Sequence, residues 1–233
     1  MRKLKFGDWK KYTFEFLSIF IAVITAFALN NWNDNRKADQ SENKILIEIS
    51  NGLEKDINDI RQNIFGHEKG IIACNYFRNM LAGKKVNQDS LMTRYRALTR
   101  DFISIQNTAG YETLKSRGLE LIENDFLRLE IITMYEYNYN ILRKLEEEYS
   151  EMQFQENYFA EINKILAPNF QFDVNKNIVG INTPLKILTN EEKIILLYLW
   201  KIQSNRDYIL KYYSEIEKKV TEVQKQILME IKH

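Results

Sequence analysis

The chain has 233 residues, room for one large domain or for one domain and an anchor. Its 33 lysines and arginines nearly balance 32 aspartates and glutamates, and the positive excess sits before residue 33, so the body is close to neutral. That balance argues against nucleic acid as a partner, since phosphate binding needs a concentrated basic face. The single cysteine, Cys74, excludes an intrachain disulfide and a cysteine-based zinc site.

Residues 1–11 form a basic segment with Arg2, Lys3, Lys5, Lys10 and Lys11 against Asp8. An apolar run follows from Phe16 to Leu29, with Ser18 and Thr25 its only polar members. Three readings of this run compete: a membrane span, a cleaved secretion signal and a buried core helix. A span is favoured by the flanks. Trp9 and Tyr12 precede the run and Trp32 follows it, and Trp9 to Trp32 as a helix covers about 35 Å, which puts aromatic residues near both bilayer interfaces. Glu15 then lies at one edge, about a turn from Lys11, and Asn30 and Asn31 lie at the other, away from the hydrocarbon centre where charge is costly. Ala26-Phe27-Ala28 imitates a signal cleavage site, but Glu15 interrupts the early core. The expectation is a transmembrane helix over 12–32. The excess of basic residues before it predicts a cytoplasmic N-terminus and an extracytoplasmic domain over 33–233.

The opening resembles that of bacterial membrane-anchored families of uncharacterised function. The residues concerned are Glu15, "FLSIFIAVITAF", "NNWNDNRK" and "ILIEISNGLEKDINDI", together with "TAGYETLKSRGLELIENDFLR" at 108–128. One departure is Ala22, where such families carry a mid-span glycine. The resemblance implies a single-pass membrane protein and brings no catalytic residues with it.

Beyond the run, residues 38–65 read as one long helix. Leu46, Ile49, Leu53, Ile57, Ile60 and Ile64 recur at gaps of three and four, an apolar seam on one face. Gly66 and Gly70 flank His67 and are read as a break. A second helix is expected over 70–82 and a third over 89–103, with "AGKKVNQDS" between them. "SIQNTAGYETLKSRG" should hold a short helix that ends at Gly118 in a left-handed cap. Asn124 or Asp125 should cap a helix reaching Leu166, rich in aromatics from Tyr135 and Tyr139 to Tyr158. Such a series most often reads as core packing, with ligand stacking the alternative. Residues 167–188 read as a long loop with a short hairpin. Thr189 to Glu192 has the pattern of a capping box opening the last helix, whose seam is Ile209, Tyr213, Ile216, Val220, Val223, Ile227 and Ile231.

The fold class expected is therefore all-α: an N-terminal transmembrane helix followed by an antiparallel helical bundle with long first and last helices. The two seams should cover each other, within one chain or between two.

Motifs with chemistry are sparse. Glu230 and His233 have the Glu-x-x-His spacing of di-iron sites, but one such motif cannot build a bridged metal pair. Glu146, Glu147 and Glu148 read as a solvated charge run. No metal-ligand, phosphate-loop or nucleophile motif stands out, so no cofactor, metal or catalytic residue is expected. The function expected is a membrane-anchored interaction or scaffold protein of the cell envelope, with the lipid bilayer and itself or another envelope protein as partners. The alternative is an extracytoplasmic small-molecule sensor acting through a partner protein, which a pocket lined by Tyr135, Tyr139 or Tyr158 would favour.

Overall fold

One helix, α1 (Phe6–Leu81), runs unbroken for 76 residues in a computed structural model that describes residues 6–231. Its first part is exposed on all sides; from Ile45 onward one face is buried. Within the exposed part, Thr13 and Ser18 donate their hydroxyls to the carbonyls of Trp9 and Phe14, both at 2.8 Å. The Ser18 hydroxyl within the apolar run, and the Thr13 hydroxyl just before it, are thereby satisfied inside the helix itself. This helix is long and apolar enough near the N-terminus to cross a membrane.

The expected break at Gly66 and Gly70 is absent: α1 passes straight through both and ends at Leu81. Gly83, at φ +69°, closes it, with the Lys84 N–H on the Asn79 carbonyl and the Gly83 N–H on that of Met80. This is the glycine-dependent cap in which a left-handed residue turns the chain back over the last carbonyls.

The segments that follow are shorter than their sequence suggests. α2 covers only Leu91–Leu98, and residues 100–107 then run without regular structure. α3 (Ala109–Arg117) ends at Gly118, whose φ of +105° needs glycine but whose ψ of 129° is extended rather than left-handed helical. α4 (Asp125–Thr133), capped by the Asn124 side chain on the Leu127 N–H, continues through a π turn (Met134–Asn138), α5 (Tyr139–Arg143) and a second π turn (Lys144–Glu148). The single helix expected up to Leu166 is interrupted at Tyr149, and α6 (Phe154–Leu166) starts anew. β1 (Phe170–Phe172) and β2 (Ile178–Ile181) make the short antiparallel hairpin inside 167–188.

α7 (Thr189–Glu230) is 42 residues long. The bond that opens it is one residue earlier than the capping box expected at Thr189: the Leu188 N–H donates to Glu191 Oε2 at 2.9 Å. α7 runs antiparallel to α1. Arg78 bonds Gln203 and the Leu199 carbonyl, Arg61 bonds Glu217 at 2.6 Å, and Gln224 bonds the Ser50 carbonyl at 3.2 Å.

Between them the two seams meet. Leu46, Ile49, Leu53, Ile57 and Ile60 are buried, as are Ile209, Tyr213, Ile216, Val220, Val223 and Ile227; Ile64 is half-buried at the edge. Burial of each such side chain stabilises by about 1.5–3 kcal/mol, so this contact is the main cohesive element of the fold. Among the described residues the chain is all-α apart from one hairpin.

Candidate functional site

At the level of residues 66–70 the core between α1 and α7 stops being apolar. Arg206 of α7 is fully buried (0% exposed), and among the described residues no carboxylate pairs with it. Its Nη2 donates to the carbonyls of Leu98 at 3.1 Å and Arg100 at 2.9 Å, with Ala97 at 3.4 Å. The Ala97 and Leu98 carbonyls are the C-terminal end of α2, the negative pole of a helix, and that of Arg100 opens the irregular segment beyond it, so the buried cation caps the helix and fastens the chain that leaves it. The face of Phe154 lies 4.3 Å from the guanidinium carbon, a cation–π contact. Nη1 lies 3.0 Å from His67 Nδ1. Arginine only donates, so His67 accepts at Nδ1 and carries its proton on Nε2. Burial, then the Arg206 charge, lowers the imidazole to about 3, so it is neutral. Burial also lowers Arg206, to about 10, which leaves it charged at neutral pH.

One layer closer to the N-terminal half of α1, the buried Glu146 and Asp56 and the half-buried Asp59 hold the irregular segment that follows α2. Glu146 accepts from the Ser104 N–H at 3.1 Å, from the Ser104 hydroxyl and from the Tyr213 hydroxyl. Asp59 accepts from the Ile105 N–H, and Asp56 from the N–H and side-chain amide of Asn107 and from the Tyr139 hydroxyl. The solvated reading of Glu146 is thus overturned: it is only 5% exposed, while Glu147 and Glu148 face solvent. Burial pushes Glu146 up to about 7 against the opposing pull of its donors. Asp56 is raised for the same reason. With their oxygens occupied by backbone and hydroxyl donors, these groups order the 100–107 segment.

That ordering shapes a groove. The segment carries Phe102 onto α1 at Gly66, where the ring occupies the space of a side chain: a Cβ on Gly66 would fall 2.2 Å from it. Between α1 and α2, over this ring, opens a groove of about 550 Å³. Phe65, Met92 and Phe102 give it apolar surface, and Lys69, Arg96 and Arg100 give it charge. Among the described residues, none of these three cations has a carboxylate within 4 Å. Lys69 and Arg100 lie instead over the rings of Phe65 and Phe102, at 4.0 and 5.7 Å. The surrounding sequence is unlike the rest of the chain: residues 61–101 hold eight basic side chains against three acidic ones.

A second hollow, about 160 Å³, is lined by Tyr111, Tyr135 and Tyr139. It is below the size usual for organic ligands. Its polar groups also satisfy one another: Glu136 accepts from Tyr111 and Lys115, both at 3.0 Å. Tyr158 is elsewhere, packed on Phe154 and Tyr198.

Trp9, Tyr12, Glu15, Asn30, Asn31 and Trp32 are exposed along α1. Asn30 bonds Asp34 at 2.9 Å, and Arg36 stacks over Trp32. Cys74 is buried and its thiol is raised to about 11, chiefly by burial. His233 and the basic Arg2, Lys3 and Lys5 lie outside the described residues. Sequence reasoning missed Arg206 and the groove cations; the charge segregation over 61–101 was the available signal. Comparison with protein-family models, with curated proteins and with solved structures finds no match at all.

Proposed function

We propose that the chain is a single-pass, membrane-anchored helical module of the cell envelope that works by binding rather than catalysis. One observation carries this reading: the apolar run of α1 is exposed on every face, although the same helix buries a face from Ile45 onward. Phe14, Phe16, Ile19, Phe20, Ile24, Phe27 and Leu29 are each at least half exposed, an apolar surface that needs lipid or protein to cover it. A bilayer fits its length and its aromatic ends. On this reading residues 12–32 span the membrane, the basic N-terminal segment is cytoplasmic, and 33–233 form an antiparallel bundle outside.

The seams supply each other's cover within one chain, so the anchored domain needs no second copy to be stable. Its partner surface then lies off the seams, which favours a ligand- or partner-receiving module over a stalk that assembles through α1 and α7.

The test is alkaline carbonate extraction of membranes that contain the full chain, followed by sequencing of its N-terminus. Retention in the membrane with residues 12–32 intact is the expected result. Soluble protein that begins near Leu29 would contradict the reading.

A further inference from the structure

From the groove between α1 and α2 we infer a binding site for a small organic anion: a phosphate or carboxylate head held by Lys69, Arg96 and Arg100, with an apolar or aromatic body against Phe65 and Phe102. Three cations line this one groove without a paired carboxylate among the described residues, in a chain whose charges are evenly balanced overall. Guanidinium groups present paired donors that match phosphate and carboxylate oxygens. Phe65 and Phe102 supply flat apolar surface beside that charge, and a groove of about 550 Å³ has the size of a small-molecule site.

The groove is also preformed from beneath. Arg206 fastens the end of α2 through its carbonyls, and Gly66 lets the Phe102 ring sit against the α1 backbone. Both walls are thus fixed by buried contacts, while among the described residues nothing hydrogen-bonds the side chains of the three cations.

The source of the anion follows from the anchor, and this step rests on the membrane reading above. Gly66 lies 34 positions beyond Trp32 on the same helix. At about 1.5 Å per residue, that places the groove about 50 Å above the interface. Headgroups of the same bilayer cannot reach it, so the ligand is a soluble molecule.

The experiment is calorimetric titration of the full chain in uncharged detergent with phenyl phosphate, inorganic phosphate and benzyl alcohol. Saturable binding of phenyl phosphate is expected, tighter than inorganic phosphate and absent for benzyl alcohol. R96A/R100A should weaken it by about tenfold or more, since charge-assisted bonds are lost. Lys69→Gln should weaken it too. Phe65→Ala should affect phenyl phosphate but not inorganic phosphate. These side chains are at the surface, so the melting temperature should stay that of the parent. Equal affinity of parent and R96A/R100A would overturn the site. Equal affinity for phenyl and inorganic phosphate would overturn the amphiphilic ligand class. Displacement of phenyl phosphate by phosphatidic acid doped into the micelles at stoichiometric amounts would overturn the soluble source. Binding in detergent does not depend on where α1 resides, so loss of the site leaves the anchor intact. Release of the chain by carbonate would remove the anchor and leave the site.

Discussion

The guanidinium of Arg206 occupies the place where residue 70 would carry a side chain: a Cβ on Gly70 would lie 2.3 Å from Arg206 Nε. Gly70 therefore serves as clearance in a continuous helix. Alanine is a better helix former than glycine by about 1 kcal/mol, yet Gly70→Ala should destabilise. The clash is with a buried guanidinium whose Nη atoms are held by His67 and by the carbonyls of Leu98 and Arg100, and overpacking of this kind costs typically 1–3 kcal/mol. Gly66→Ala should behave alike through the Phe102 ring, whereas Gly52→Ala, with its nearest contact at 3.2 Å, should be close to neutral. In a double-mutant cycle, Arg206→Met should absorb part of the Gly70→Ala penalty because the guanidinium is gone. Urea denaturation of the set checks this; additive effects at Gly70 and Arg206 would contradict it.

The pairing of α1 with α7 predicts that Ile57→Asp and Val220→Asp each unfold the domain or nearly so. Each buries an unpaired charge in the contact that contributes most to cohesion. It also predicts the products of crosslinking. In a Cys74→Ala background, Arg61→Cys with Glu217→Cys should be joined within one chain by a short bismaleimide, because these positions face each other at 2.6 Å between side-chain atoms. Dimers on a denaturing gel, in place of faster-migrating monomer, would assign the seams to different chains.

Glu146 and His67 make opposite contributions to the pH dependence of stability. The Glu146 carboxyl is raised from 4.5 to about 7, so the folded state holds its proton where the unfolded chain has lost it. Stability from this group therefore falls as pH rises through that window. His67 is lowered to about 3, so the unfolded chain takes up a proton that the fold refuses, and its contribution rises with pH up to about 6.5. The two oppose each other between about pH 4.5 and 6.5. Glu146→Gln removes one of them. Relative to the parent, its stability should rise between pH 4.5 and 7, by roughly 3 kcal/mol at 1.36 kcal/mol per unit. Parallel stability curves for parent and E146Q would contradict the buried, shifted carboxyl.

What was legible in the sequence follows from periodicity. Leu46 to Ile60 and Ile209 to Ile227 advertise their faces because apolar spacing alone marks a buried stripe, and both stripes are buried. Phe16 to Leu29 stands out by composition, and the hairpin by its position between prolines and β-prone residues. Gly66 and Gly70 misled because glycine looks the same whether it breaks a helix or makes room; only the arrival of Phe102 and Arg206 from distant segments separates the two. Glu146 hid among three consecutive glutamates, and its burial depends on Ser104 and Tyr213, which are remote in sequence. The groove is a meeting of two helices, so periodicity along either one does not reveal it.

On the proposed reading, α1 leaves a bilayer at Trp32 and carries the helical body away from it. Spin labels on cysteines introduced at Leu17, Ala22, Leu29 and Ala38, in a Cys74→Ala background reconstituted in vesicles, test this through their access to oxygen and to a nickel chelate. Labels at 17, 22 and 29 should meet oxygen and exclude the chelate, and the label at 38 should be open to the chelate. Full chelate access at all four positions would contradict it.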